Sequence, residues 1–335
     1  MNMPAWFVAS RSRLALLALV LLANMLVAPG FLELRLVDGR LFGGIIDILN
    51  RGAPVMLLAV GMAPVIATRG IDLSVGAVMA IAGAVAAATV NAGHAWPVAV
   101  VAALGTGLAC GLWNGVLVTF FRMQPIVATL ILMVAGRGIA QMITQGRVLT
   151  FTDDGLARIS SGTLLGLPLP IVIALVAAIV TGLLVRATAL GLFIEAVGTS
   201  PRASRLAGVP APSVLISVYV WSGLMAALAG LIATADIRGA DANNAGLWLE
   251  LDAILAVVIG GTSLYGGRFS IGLSLLGAVI LQGMRTCILR SGLPPELNLL
   301  LMALVVALVL VVQSPACQPA IARLTARFKR RSAAS

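Results

Sequence analysis

Ten stretches of about 20 apolar residues follow one another along this 335-residue chain, each long enough to cross a hydrocarbon core of roughly 30 Å at about 1.5 Å per residue. They begin near Leu14, Gly52, Asp72, Trp96, Pro125, Pro168, Ser213, Leu251, Ser270 and Asn298. Hydrophobic residues make up 60% of the chain and charged residues 10%, and the mean hydropathy is +1.09. A soluble core cannot bury so much apolar surface, whereas a bilayer solvates it. The pattern predicts an all-α polytopic membrane protein. Its transmembrane domain would cover 14–313, between a short tail at 1–13 and a basic tail at 314–335. The eighth stretch, LDAILAVVIGGTSLYGG, is the weakest, because much of it is small or polar.

A net charge of +10 could suggest nucleic acid, but that reading requires basic residues gathered on a folded face among aromatics. Here they sit in the breaks between apolar runs, where they report topology. With the N-terminus in the cytoplasm, thirteen of the 22 basic residues lie inside, among them Arg11, Arg13, Arg69, Arg186, Arg202 and Arg205. Eight lie outside, and Arg137 falls within a span. The bias places both termini in the cytoplasm. The first stretch also admits a signal-peptide reading, since Arg11 and Arg13 precede an apolar run ending in LVAPG. Removing it would turn the basic tail outward if orientation were otherwise kept.

Several chemistries are excluded. The one lysine, Lys329, stands in the terminal RFKRR, so no P-loop can form. The one histidine, His94, sits in an outer turn, which rules out histidine-based metal sites and a Ser/His/Asp arrangement. Cys110, Cys287 and Cys317 fall in or near different spans and make no disulfide framework. No enzyme site, metal site or cofactor is expected. Asp72 beside Arg69 and the pair Glu250 and Asp252 at the outer start of the eighth span are the only acids near the membrane interior, too few for an obvious proton relay.

The polar stretch EAVGTSPRASRLAGVP (195–210) interrupts the apolar chain and is itself written as a helix. Ser200 can cap it, Pro201 suits its first position, and Gly208 can close it in the left-handed conformation before Pro210. It is too short to span and too charged to enter lipid. A capped connector and a docking knob for a cytoplasmic partner both fit these residues.

This stretch resembles the coupling loop of importer permeases of the ATP-binding-cassette class, specifically the ribose/galactose-type sugar family. Glu195, Gly198, Pro201, Arg202, Arg205, Ala207 and Gly208 match the pattern that meets the ATPase subunit there. The resemblance extends over GRLFGGIIDILNRGAPVMLLAVGM (39–62), RGIDLSVGAVMAIAGA (69–84), GLWNGVLV (111–118), QPIVATLILMVAGRGIAQ (124–141) and DIRGADANNAGLWLELDAILAVVIGGTSLYGGR (236–268). There are two departures: the family usually has Gly where Arg69 stands and no proline at Pro64. Pairing of Arg69 with Asp72, one turn along, would accommodate the first.

Remaining candidates are graded by position. Gly107, Gly111 and Gly115 repeat every four residues and mark a close helix contact. Asn114 and Gln141 could line a pathway or bond between helices, and Arg137 should meet helix-end carbonyls. Gly260, Gly261, Thr262 and Ser263 would break or end a helix, as a gate or a plain turn. Asp236, Arg238, Asp241, Asn243 and Asn244 form an outer rim that suits docking of a periplasmic binding protein or a solvated loop. The resemblance implies the membrane subunit of an ATP-driven monosaccharide importer in the bacterial inner membrane. Galactofuranose is the first candidate sugar, and another furanose, pentose or hexose would write the same spans. Implied partners are a cytoplasmic ATPase, a periplasmic sugar-binding protein, a second permease copy or paralogue, and membrane lipid. An ion-coupled secondary sugar transporter and a membrane scaffold are the alternatives.

Overall fold

The computed structural model describes residues 5–28, 30–37 and 39–292, with scattered positions from 294 to 307. Helix α1 (Ala5–Val27) leads through a hairpin of β1 (Arg35–Val37) and β2 (Arg40–Phe42) into α2 (Gly44–Ala67), α3 (Val75–Asn91), α4 (Trp96–Thr119) and α5 (Pro125–Thr144). An irregular segment then carries β3 (Val148–Thr150), the short α6 (Asp154–Ser161), β4 (Thr163–Leu164) and β5 (Leu167–Pro168). Next come α7 (Leu169–Ala187), α8 (Leu190–Thr199), α9 (Pro201–Leu206) and α10 (Ala211–Asp236). The order closes with β6 (Gly239–Asp241), α11 (Leu249–Ile259) and α12 (Ile271–Arg290). The tenth expected span, Cys317 and the basic tail lie outside the continuously described residues.

Among the described residues, six helices are long and apolar enough to cross a membrane: α2, α4, α5, α7, α10 and α12. Two expected spans differ. The span expected from Asp72 becomes α3, which starts only at Val75 and has 17 residues. The one expected from Leu251 becomes α11, with 11 residues, about 16 Å of helix and so roughly half a hydrocarbon core. In both cases the chain travels part of the depth as irregular backbone before its helix begins. Apolar composition cannot show this, because a buried loop and a buried helix draw on the same residues.

Helices α2, α3 and α10 form the interior. Residues 55–67 of α2 and 75–84 of α3 are buried without a break. The peripheral helices bury one stripe each and leave the rest to lipid, so they are apolar all round. Mostly small residues mark the buried stripes, as in Ala128, Thr129, Gly136, Ala140 and Thr144 beside Leu132 of α5. The α4–α10 contact is among the closest of these. A Cβ on Gly107 would lie 2.5 Å from the Gly223 carbonyl oxygen, and one on Gly111 2.4 Å from that of Tyr219. The four-residue glycine repeat is therefore a packing groove. At one end α1 packs on α12, where the Asn24 amide donates to the Val20 and Gly283 carbonyls at 2.8 and 2.9 Å.

All six strands gather at one end of the bundle. β3 pairs antiparallel with β6, Leu149 opposite Ala240, tying the segment before α6 to the segment after α10. Asp153 caps α6 by accepting from the Leu156 N–H at 2.7 Å. The stretch 195–210 and the turns at 68–70 and 260–270 belong to the opposite end.

Candidate functional site

At that opposite end the polar stretch folds as its residues dictate. The Ser200 hydroxyl accepts from the Ala203 N–H at 3.3 Å, and Pro201 opens α9. Gly208, at φ +78°, closes the helix: its N–H donates to the Arg205 carbonyl and the Val209 N–H to the Ser204 carbonyl, both at 3.0 Å. That pair of bonds is a Schellman closure, which requires a left-handed residue at this point. Only Ser204 of α9 is buried. Pro201, Arg202, Arg205, Ala207 and Gly208 are all exposed, and Leu206 is 85% exposed. Among the described residues, this helix stands off the bundle as a basic knob with an apolar tip.

Its base is tightly fixed. Gly198 packs where a Cβ would come within 1.8 Å of the Ala67 carbonyl oxygen, so no other residue fits without a backbone shift. Arg69, in the left-handed region at φ +66°, donates from Nε to the Gly198 carbonyl and from Nη2 to the Thr199 carbonyl. The expected Arg69–Asp72 pair does not form, because the positive φ turns the side chain toward α8. This conformation also accounts for the glycine that the resemblance places at position 69. Gly267 donates to the Ala67 carbonyl at 2.9 Å, so the 260–267 segment joins the same junction. Gly260 and Gly261 end α11, with Arg13 of α1 donating from Nε to the Ile259 carbonyl at 3.1 Å. Thr262 is buried with no partner for its hydroxyl among the described residues, and Ser263 accepts from the Tyr265 N–H. Glu195 is half-buried on α8, above the knob.

Deeper in the bundle, Asp72 is not at a surface. It is 1% exposed and level with Ser222, near the midpoint of α10. Its Oδ1 accepts from the Ser74 N–H and hydroxyl at 3.0 and 2.6 Å and, more distantly, from the Asn114 amide at 3.4 Å. Its Oδ2 accepts from the Ser222 hydroxyl at 2.8 Å. Asn114 also donates to the Ser74 hydroxyl at 2.8 Å, so it bonds between helices. These donors replace the water that the carboxylate gives up on burial.

A second irregular segment comes in from the strand-bearing end. A Cβ on Gly76, in the first turn of α3, would lie 2.3 Å from the Gly246 carbonyl oxygen and 2.8 Å from a Glu250 carboxylate oxygen. Glu250 is thereby buried against the positive end of α3. Asp252 is also buried and accepts from Arg285 at 2.6 Å. The expectation that the interior holds almost no carboxylates is thus corrected: Asp72, Glu250 and Asp252 are all inside, carried there by the two irregular segments. Discontinuous elements meeting at depth are where transporter sites are commonly built.

The structure joins two sets of residues that the sequence kept apart. Arg137 donates from Nη1 to the Ala242 and Ala245 carbonyls at 3.0 and 2.6 Å, holding a loop where helix-end carbonyls were expected. Gln141 donates to the Asn243 side-chain oxygen at 2.9 Å. Asp241 accepts from the side-chain amide of Asn244 and from the N–H groups of Asn243 and Asn244. The Asn244 amide in particular holds its carboxyl below the ordinary carboxylate range. Asp236 accepts from the Ser160 hydroxyl at 2.8 Å, and the exposed Arg238 pairs with Asp154 at 3.3 Å. Much of the supposed rim therefore serves to hold its own loop.

Residues 44–310 match the model of the family described as branched-chain amino acid transport system / permease component. Among curated relatives, the galactofuranose transporter permease protein of Escherichia coli is 62% identical over 90% of this chain and 89% of its own. The fructose import permease protein of Bifidobacterium longum is 44% identical over 88% and 83%. The ribose import permease protein of Escherichia coli is 36% identical over 92% and 95%. No solved structure matches the chain.

Proposed function

The chain belongs to the branched-chain amino acid transport system / permease component family, and from that premise we propose that it is the membrane subunit of an ATP-binding-cassette importer for a monosaccharide. It is a transport component and not an enzyme, with ATP hydrolysed by a separate cytoplasmic subunit. The 62% identity to a galactofuranose permease makes that sugar the first candidate, with fructose and ribose permeases among the other relatives.

The single observation that carries the coupling role is the exposed, fully capped α9 on a fixed base. ATPase closure would push on Arg202, Arg205 and Leu206. Gly198 and Arg69 would pass the displacement to the end of α2 and to the 260–267 turn. From Arg69 the chain runs three residues to Asp72, and so to the polar junction of α3, α4 and α10. The knob end is cytoplasmic in this reading and the strand-bearing end periplasmic, in a bacterial inner membrane. Ten spans with both termini inside fit the basic-residue bias, and the packing of α1 on α12 supports a retained first span. Arg238 and Asp154 at the outer end suit a periplasmic sugar-binding protein, and a second permease copy or paralogue completes the pathway.

The test is a mild-detergent pull-down of the tagged protein, wild type beside an Arg202→Glu/Arg205→Glu variant, probed for an ATPase subunit. The ATPase should accompany the wild type and be lost from a variant that still inserts. Absence of an ATPase from both, together with ionophore-sensitive sugar uptake by the chain alone in liposomes, would establish an ion-coupled transporter instead. No sugar-linked phenotype at all would indicate a scaffold.

A further inference from the structure

A cavity of about 500 Å³ opens at the strand-bearing end between α2, α10 and the segment after β6. Its volume is that of a small-molecule site, which runs roughly 300–1,000 Å³. The wall carries groups of both hydrogen-bonding senses. Asn50 also lines it; its side-chain oxygen is shut off from solvent and has no partner among the described residues. Arg51 engages Asp47 only through Nε, at 2.8 Å, so the rest of its guanidinium is free among the described residues. Asp236, also on the wall, uses one oxygen on Ser160, and the other has no hydrogen-bond partner among the described residues. Arg51 and Asp236 are within electrostatic reach of one another. Pro54 and Ile232 add apolar surface to the same wall.

That mixture suits a neutral polyol. Each ring hydroxyl both donates and accepts, and the C–H faces of a sugar ring need apolar patches between the polar contacts. An anion would meet the carboxylates of Asp47, Asp236 and Asp241, and a cation would meet Arg51 while Asp47 is already paired with Arg51 and Arg290, so neither gains from the whole wall. The position matters as much as the chemistry. Ala245 lines the cavity, its carbonyl is held by Arg137, and the next residue, Gly246, rests on Gly76 at the start of α3. The cavity therefore lies directly above the place where the two irregular segments meet.

We infer that this cavity is a reception site for the monosaccharide within the permease itself, with Asn50, Arg51 and Asp236 reading ring hydroxyls before the sugar moves deeper. The inference rests on the importer reading, and it places part of the sugar discrimination in this chain as well as in the binding protein.

The complete transporter, with ATPase, second permease and binding protein, is reconstituted in liposomes. Uptake of radiolabelled D-ribose, D-fructose and D-galactose is measured beside ATP hydrolysis. Asn50→Leu should lower the sugar imported per ATP hydrolysed at least tenfold. Asn50→Ser, which cannot overpack the wall, should shift the relative uptake of the three sugars at least threefold. If both variants match the wild type in sugar per ATP and in preference, the reception site is overturned. If the wild-type assembly shows no ATP-dependent uptake of these sugars or of galactofuranose, the importer reading itself falls, which is a separate outcome.

Discussion

Arg69 reaches the carbonyl of Gly198 across 129 residues of sequence, and its second bond, to Thr199, lands one residue before the cap of the exposed helix α9. One side chain thus ties the end of α2 to the base of the knob. If this tie transmits force, Arg69→Gly should insert normally, because glycine adopts the left-handed backbone without strain. It should hydrolyse ATP in the assembled transporter while importing several-fold less sugar per ATP. Arg69→Val should do worse and lose stability too, since a β-branched residue at positive φ costs roughly 1–3 kcal/mol. Uptake and ATP hydrolysis measured on the same liposomes decide this; equal coupling in wild type and Arg69→Gly would remove the tie from the mechanism.

Gly198→Ala is expected to be disproportionately damaging for one methyl group. Its Cβ would lie 1.8 Å from the Ala67 carbonyl oxygen, which is backbone and cannot swing aside. Overpacking of this kind costs about 1–3 kcal/mol. The detergent-solubilised variant should unfold at lower temperature and retain less ATPase in a pull-down. Gly182→Ala, where nothing lies within 4 Å, serves as the control and should leave both unchanged.

At the polar junction, Asp72→Asn and Asp72→Leu should separate. Asparagine keeps one acceptor for Ser222 or Ser74, whereas leucine leaves their buried donors unpaired at about 1–3 kcal/mol each. Thermal unfolding in detergent should rank wild type above Asp72→Asn above Asp72→Leu. A leucine variant as stable as the asparagine one would mean that water reaches the junction.

Acid sensitivity should have a contribution from Asp241. Its carboxyl is held below the ordinary range, so the stabilisation is complete above the unfolded value, near pH 4, and is lost as pH falls through the lower folded value. Asp241→Asn should therefore narrow the loss of thermal stability between pH 6 and pH 3. The group is partly exposed to solvent, so a modest change is expected. An unchanged pH profile would show that the Asn244 contact does not persist in solution.

How much of this was legible depended on whether the cause was local. The α9 helix was readable to the residue, because Ser200, Pro201 and Gly208 act within one turn of themselves. The groove at Gly107, Gly111 and Gly115 was readable as a contact though not as a contact with α10. Asp72, Glu250 and Asp252 were misplaced toward the surfaces, because polar residues between apolar runs look the same in a solvated turn and in a buried re-entrant segment. Arg137 and Gln141 showed no sequence link to Asn243 and Ala245, about a hundred residues away.

The sequence by itself determined a helical membrane protein and a capped polar knob between apolar spans, because hydrophobic length and helix capping are short-range properties. Which helices touch was decided only by the tertiary structure. Lipid-facing and buried surfaces are equally apolar here, so hydrophobicity cannot rank partners. Close approach at Gly198 and Gly111, and the search of buried donors and acceptors for one another around Asp72, settled the arrangement instead.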